Sequence, residues 1–464
     1  MSKGPSVLDL MHGNVAGIGW PLVTREPLAG LAALLGVLDR TQWMKRRDIV
    51  ARQYEQLASL AAHLAAHSKQ FQDRLARAGL QPADLASEEG LRRLPVLRRR
   101  DLQIAPEELY CRSIPQSHMP LGESRTSGST GQPVAIRRTT VSQLIWRALN
   151  IRGQIVQGTD LSKRCTTIRP QITEYAIRKD RGAPLNQLLD TGPVQAIPMT
   201  TDIKQQAAWL AEFQPDNLLI YPTNLDGVCR YVRQHKSKIA GLNSIFTIGE
   251  TLSARLREDA QEILGARVVD KYSSQEAGLI AVECLTSGLY HVQAEGVIVE
   301  VLKEDGSPCR TGDSGRVVIT DLHNFATPLV RYEIGDYAEV GGACACGRGL
   351  PTLKKILGRE RNLLVKPDGT RHWPLVGFHQ YRDIAPILQY QFVQHNLDRI
   401  EVKIVSEKPL STAQESKLSA VMRKALGFYC RLEFTYFEGE IPRTPGGKFE
   451  EFLCLIPPDA AAPA

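Results

Sequence analysis

The stretch Ser124-Arg125-Thr126-Ser127-Gly128-Ser129-Thr130-Gly131-Gln132-Pro133 joins glycines, which let a backbone approach a ligand, to hydroxyl side chains that donate hydrogen bonds. That composition suits the oxygens of a polyphosphate. It lacks the Gly-Lys-Ser/Thr ending of a Walker A loop, and such a stretch standing alone is more often a flexible turn. A second group with chemical potential is Cys284-x6-His291 together with Cys344-x-Cys346. Three thiols and one imidazole are a donor set that tetrahedral structural Zn²⁺ takes, and four protein ligands leave no catalytic vacancy. The spacing is unlike that of a zinc finger. The competing reading is a core cysteine beside a flexible Gly-rich loop, and Cys309 is a spare ligand candidate. Further segments carry Gly249-Glu250, Tyr272-Ser273-Ser274-Gln275-Glu276, Arg331 to Asp336, Gly358-Arg359 and Gly446-Gly447-Lys448. Singly, Tyr272 reads as core, Asp336 as a turn residue, Arg359 as a surface cation and Lys448 as a solvated loop lysine.

Something must position these residues. Apolar spacing predicts a helix over 45–78 with Gly79 as its stop, and a short helix near 84–92 opened by Asp84. Helical segments at 203–213, 226–235 and 252–264 alternate with strand-like runs at 218–221, 244–248, 266–270 and 279–282, which predicts an α/β architecture. Beyond about 290, β-branched runs at 296–302 and 315–320 predict a β-rich subdomain. The last hundred residues read as a compact α+β unit, with strands at 400–405 and 432–437 around a helix at 413–426.

The chain has 464 residues, of which 43% are hydrophobic and 23% charged, which excludes a disordered chain. Lys and Arg number 57 against 50 Asp and Glu, a net +7 too modest to indicate nucleic acid. The cluster Arg92, Arg93, Arg98, Arg99 and Arg100 reads as a solvated surface run. No run of 18 apolar residues suggests a membrane span, and the first twenty residues do not read as a signal peptide. Nine sparse cysteines then point to reduced thiols in the cytoplasm.

Taken together and in order, these motifs resemble the core motifs of the adenylate-forming superfamily of acyl- and aryl-CoA synthetases. Gln275-Glu276-Ala277-Gly278 and Cys344-Ala345-Cys346-Gly347-Arg348 look most like its phenylacetate–CoA ligase branch. The resemblance covers roughly residues 45–455. It implies a large multi-subdomain adenylation domain over 1–357 and a small mobile α+β domain over 358–464. By that resemblance Ser127, Gly128, Ser129, Thr130 and Gly131 hold the β- and γ-phosphates of ATP, Tyr272 stacks on adenine, and Glu276 helps hold Mg²⁺. Asp336 accepts hydrogen bonds from the ribose hydroxyls, Arg359 lies near ribose or phosphate, and Lys448 stabilises the adenylation transition state. Segments near Tyr221–Thr223, Ile248–Glu250 and Ser273-Ser274 line the acyl pocket. Gly249, Glu250 and Ser273 thus border the nucleotide, and Glu250 could meet the adenine N6 or an amino group of the substrate. Some relatives share the Cys…His and Cys-x-Cys pair, which favours structural Zn²⁺ on Cys284, His291, Cys344 and Cys346.

The implied reaction is ATP-dependent activation of a small carboxylic acid, then transfer to coenzyme A. No cation is evident near the pocket segments, so an aromatic or otherwise apolar acid is expected. Alternatives are transfer to a separate carrier protein or an amine, or a non-catalytic nucleotide-binding relative. Neither nucleic acid nor membrane is an expected partner, and a homodimer is one assembly the reading admits. Two departures stand out: Gln132 where many relatives carry Lys, and Asn362 where the hinge usually has an acidic residue. Trp373-Pro374 reads as an architectural turn.

Overall fold

In the computed structural model the chain divides into two compact units, Met1–Ile356 and Leu357–Ala464. The structure describes residues 6–15, 18, 23–104, 106–125, 134–359, 363–372, 381, 383–406, 408–442 and 449–456. The sequence candidates Ser127, Gly128, Ser129, Thr130, Gly131, Gln132, Asn362, Trp373, Pro374 and Lys448 lie outside the described residues.

The first unit opens with helices α1 (Val7–Leu10), α2 (Ala29–Thr41), α3 (Arg46–His67) and α4 (Lys69–Ala78). One helix was expected where α3 and α4 stand. Ser68 breaks it: its backbone is extended, and its hydroxyl accepts from the Phe71 amide at 3.3 Å while donating to the Leu109 carbonyl at 2.8 Å. A serine that caps the next helix in this way competes with helix continuation. Gly79 ends α4 in the left-handed region, φ +62°, as a helix stop requires. The second expected helix also divides. Asp84 accepts from the Gln81 amide to close a short 3₁₀ turn over Pro82–Ala86, and Ser87 caps α5 (Glu88–Arg93). Two short helices, α6 (Arg99–Ile104) and α7 (Pro106–Leu109), follow.

A hairpin-like pair, β1 (Leu121–Arg125) and β2 (Ala135–Thr139), flanks the Ser/Gly-rich stretch and leads into α8 (Thr140–Val156). The main sheet then begins with β3 (Cys165–Arg169), β4 (Ala176–Arg178), β5 (Val194–Pro198), β6 (Asn217–Ile220), β7 (Ser244–Ile248) and β8 (Arg267–Ser274). Strands β5, β3, β6, β7 and β8 run parallel in that order. The connections between them are α9 (Ile203–Phe213), α10 (Pro222–His235) and α11 (Ala254–Leu264). Leu210, Leu225, Val228 and Leu256 of these helices pack with Ile168, Ile245 and Val268 of the sheet. Alternation along a strand sends every second side chain to the opposite face, where α8 lies. There Gly153 lets the helix approach β9 closely, since an added Cβ would stand 3.1 Å from Val282 and 3.2 Å from Leu279.

The strands after residue 290 do not form a sheet of their own. β9 (Gly278–Glu283) folds back antiparallel on β8, β10 (Tyr290–Val292) pairs with β9, and β11 (Val297–Leu302), β12 (Ser314–Asp321), β13 (Tyr332–Val340) and β14 (Thr352–Arg359) continue the same sheet. The order is β11-β12-β13-β14-β10-β9-β8-β7-β6-β3-β5-β4. The tight β8–β9 hairpin leaves an open edge on β9, and the β-rich segment satisfies that edge's backbone groups rather than leaving them exposed.

In the second unit, β15 (Leu364–Val365) pairs with β16 (Arg371–His372). A four-stranded sheet combines β17 (Ile387–Gln394), β18 (Arg399–Ser406), β19 (Arg431–Tyr436) and β20 (Phe452–Cys454) in the order β19-β18-β17-β20. The helix Thr412–Leu426 carries a capping box of Ser411 and Gln414 and buries Leu418, Met422 and Leu426 against Tyr390, Phe392 and Val402. The α/β class with a large first unit and a small α+β second unit is the architecture the sequence implied.

Candidate functional site

Tyr272 lies on β8 and Asp336 on β13, 64 residues apart in sequence, and the structure joins them. The Tyr272 hydroxyl donates to Asp336 Oδ2 at 2.8 Å, and both residues are buried. The strand register explains how Asp336 comes to point there. Arg316 pairs with Tyr337 but Val318 pairs with Glu333, so Ile334, Gly335 and Asp336 oppose Val317 alone. Gly335 at the bulge has φ +81°. A bulge of this kind re-aims the next side chain.

Glu276 occupies the turn between β8 and β9 and is 4% exposed. Its Oε1 accepts from Arg99 Nη1 at 3.0 Å, while Arg138 Nη2 donates to the carbonyls of Gln275 (2.6 Å) and Glu276 (2.9 Å). Gly278 closes the turn with φ +79°, and a Cβ there would stand 2.5 Å from the Trp146 ring. The segment before Arg99 ties this turn to β13: Leu97 exchanges backbone hydrogen bonds with Arg331 and Glu333. Ser273 follows Tyr272 on β8. Arg359 ends β14 and is half-buried.

Gly249 and Glu250 follow β7. Glu250 Oε2 accepts from the Thr223 amide at 2.9 Å and its hydroxyl at 2.7 Å, pinning the end of β7 to the start of α10. The segments 221–223 and 248–250 therefore adjoin. Gly249 is required twice over, by φ +82° and by the Tyr221 ring, which an added Cβ would approach to 2.5 Å. Gly249→Ala is expected to cost about 2–3 kcal/mol, read as a drop of several degrees in melting temperature; an unchanged melting temperature would contradict this packing.

Cys284 follows β9, His291 is on β10, and Cys344 and Cys346 lie in the loop before β14. Their ligand atoms all fall within 4.8 Å of one another. Cys284 Sγ and Cys344 Sγ are 3.7 Å apart, and His291 Nε2 lies 3.2 Å from Cys346 Sγ. Two thiolates on one tetrahedral Zn²⁺ at ~2.3 Å stand about 3.8 Å apart, so the sulfur spacing fits that ion. His291 is fully buried with no hydrogen bond to Nδ1. Burial pushes the Cys284 thiol up, but the neighbouring His291 imidazole and the Thr286 and Ser287 amides overcome it and draw the group down to about 5. Burial raises Cys344, against a hydrogen bond from Ser287. Cys309 is apart from the group, its thiol 3.5 Å from the Ser314 carbonyl. Beneath these ligands, Asp270 accepts from the hydroxyls of Thr247 (2.6 Å) and Tyr290 (2.9 Å). Glu283 accepts from the Asp270 amide (2.6 Å) and Arg257 (2.9 Å). The network fixes β9 and β10, from which two of the four ligands project.

Residues 377–452 match the family model of the CapK C-terminal domain. The phenylacetate–coenzyme A ligase of Thermus thermophilus is 23% identical over 444 residues, covering 89% of this chain and 98% of the relative. The protein CapK of Staphylococcus aureus is 26% identical over 273 residues, 57% of this chain and 58% of that protein. Among solved structures, 2-hydroxyisobutyryl-CoA ligase in its postadenylation state, with 2-hydroxyisobutyryl-AMP, superposes with a TM-score of 0.71. It is 17% identical, and the match covers 89% of this chain and 91% of the ligase. The chain has the adenylate-forming fold.

Within this adenylate-forming fold, Arg99 and Lys271 take positions that their local sequence does not disclose. Arg99 belongs to the run read as solvated surface. Arg92, Arg98 and Arg100 are indeed exposed, but Arg99 turns inward to Glu276. Lys271 immediately precedes Tyr272 and stands over the Phe246 ring, 5.0 Å from its centre. Burial, with the charges of Arg181 and Arg169, draws its ammonium down to about 8. Strand alternation was the available signal: if Tyr272 faces one side of β8, Lys271 faces the other. No helix among the described residues is long and apolar enough to cross a membrane.

Proposed function

We propose that this chain is an AMP-forming acid–thiol ligase. A carboxylate oxygen attacks the α-phosphorus of ATP, pyrophosphate leaves, and an acyl-adenylate results. The thiol of coenzyme A then attacks the acyl carbon, and AMP leaves as the carbon–oxygen bond breaks. The observation that carries this reading is the Tyr272–Asp336 hydrogen bond, which unites two nucleotide candidates from distant motifs. The near full-length similarity to a phenylacetate–coenzyme A ligase supports it.

An aromatic ring beside an acceptor-only carboxylate suits a nucleoside with vicinal hydroxyls. Tyr272 would meet the base and Asp336 the ribose, with Gly249, Glu250, Ser273 and Arg359 around them. Glu276 would hold Mg²⁺, its charge shared with Arg99, and Mg²⁺ would neutralise phosphate charge. Ser127 to Gly131 would hold the terminal phosphates, and Lys448 the developing charge at the α-phosphate. The first unit would serve as the adenylation domain and the second as the mobile carrier of Lys448. Cys284, His291, Cys344 and Cys346 would hold structural Zn²⁺, which supplies stability and no chemistry. Tyr221 and Phe246 suit an acid with an aromatic or otherwise apolar skeleton. ATP, coenzyme A and nine cysteines outside any disulfide suit the cytoplasm.

The test is pyrophosphate release with ATP and Mg²⁺ over a panel of aryl, fatty, dicarboxylic and amino acids, with and without coenzyme A. Acid-dependent release coupled to a coenzyme A thioester is expected. Release that never yields the thioester would overturn the assignment of coenzyme A as acceptor.

A further inference from the structure

Three cations gather on the face of the main sheet that α8 covers. Lys271 pairs with Ile248 of β7 and Val282 of β9, and paired residues share a face. Val282 in turn packs toward Gly153 of α8. Cys165 and Arg169 lie four residues apart on β3 and so point the same way. Arg181 reaches the same layer, its Nη1 donating to Gln154 of α8 at 2.9 Å.

What surrounds these groups is unusual for half-buried cations. Among the described residues Lys271 has no hydrogen-bonded partner. The buried Nε of Arg169, and Nε and Nη2 of Arg181, donate to no described residue. Asp180, adjacent to Arg181, is turned into its own loop and accepts from the Gly182 amide. The side-chain charges acting on the Lys271 ammonium are Arg169, Arg181 and the Cys165 thiol. Within the first unit, the residues that the structure does not describe, 1–5, 16–17, 19–22, 105 and 126–133, contain no Asp or Glu. Cations partly withdrawn from water without a counter-charge are costly, and no carboxylate among the described residues is paired with these three. Lys271 nevertheless keeps part of its surface open, as a wall that meets a ligand would.

The cluster is continuous with the acyl segments. Arg169 also acts on the hydroxyl of Tyr221, whose ring stands over Gly249. We infer that Lys271, Arg169 and Arg181 receive a second carboxylate on the acid being activated, so that the substrate is a dicarboxylic acid with an apolar skeleton. This rests on the ligase reading. The reacting carboxylate would lie toward the nucleotide residues and the second against Lys271, with Phe246 and Tyr221 beside the skeleton. Lys271 would then be a specificity-determining residue, with no part in the bond-making step.

The test compares wild type, Lys271→Met and Arg169→Gln on two matched pairs, homophthalate against phenylacetate and glutarate against valerate. Acid-dependent pyrophosphate release is measured, and binding of each acid in the presence of AMP is followed by calorimetry. In wild type each diacid is expected to exceed its monoacid about tenfold or more in kcat/KM. Lys271→Met should lower diacid kcat/KM by roughly 100-fold, with the monoacids and the KM for ATP moving less than about threefold. Arg169→Gln should repeat that pattern. Preference of wild type for the monoacids, or an equal loss on both members of a pair, overturns the inference and leaves the ligase reading standing. Diacid binding that Lys271→Met abolishes, without pyrophosphate release from any acid, upholds the anion site and overturns the ligase. Absence of both release and diacid binding overturns both.

Discussion

Asp336→Ala is expected to lower kcat/KM for ATP by about 10²–10⁴-fold, because hydrogen bonds to a charged acceptor contribute roughly 1.5–3 kcal/mol each and two ribose hydroxyls would lose theirs. The variant also strips the buried Tyr272 hydroxyl of its acceptor, at a cost of about 1–3 kcal/mol in stability. Tyr272→Phe separates the two effects. It removes the same hydrogen bond but keeps the ring, so it should lose comparable stability while kcat/KM for ATP falls less than about tenfold. Steady-state kinetics and thermal unfolding on the pair decide the matter. If both variants lose stability alike and neither changes the ATP parameters, the Tyr272–Asp336 bond is only structural.

The second large effect concerns the metal. Protein purified without added zinc should contain about one equivalent per chain, and prolonged exposure to a strong chelator should lower the melting temperature by about 10 °C. That shift corresponds to ~7 kcal/mol in a unit of this size, a fraction of the ~10–16 kcal/mol that structural Zn²⁺ supplies to small peptides. Cys346→Ser should weaken metal retention and produce most of the same shift. Readdition of Zn²⁺ should restore the chelated wild type, since all four donors are pre-assembled within 4.8 Å. Metal content well below one equivalent, with a chelator-independent melting temperature, would remove the ion from the account.

What could be read without coordinates divides along physical lines. Tyr272, Glu276 and Asp336 stood out because charged and aromatic residues fell in an ordered set of motifs, and the four metal donors because their chemistry is narrow. The α/β alternation of 203–283 was visible in its periodicity. Other features depend on tertiary context. Whether Ser68 continues a helix or caps the next one is settled by the Leu109 carbonyl, 41 residues away. Arg99 resembles its exposed neighbours in every local respect, and only the fold brings Glu276 to it. The strands after 290 looked like a separate subdomain because pairing between distant edges leaves no local trace. Lys271 sits one residue from a motif tyrosine, and the single step along a strand that separates them moves it to the opposite face of the sheet.

The central claim is that the acid is activated as an adenylate before any thiol takes part. The most direct measurement is mass spectrometry of the protein incubated with ATP, Mg²⁺ and a competent acid in the absence of coenzyme A, followed by a chase with coenzyme A. The account predicts an enzyme-bound acyl-AMP formed with stoichiometric pyrophosphate, and its conversion on the chase to an acyl-CoA with AMP released. Formation of acyl-CoA with ADP and inorganic phosphate, and no acyl-AMP before the chase, would contradict it.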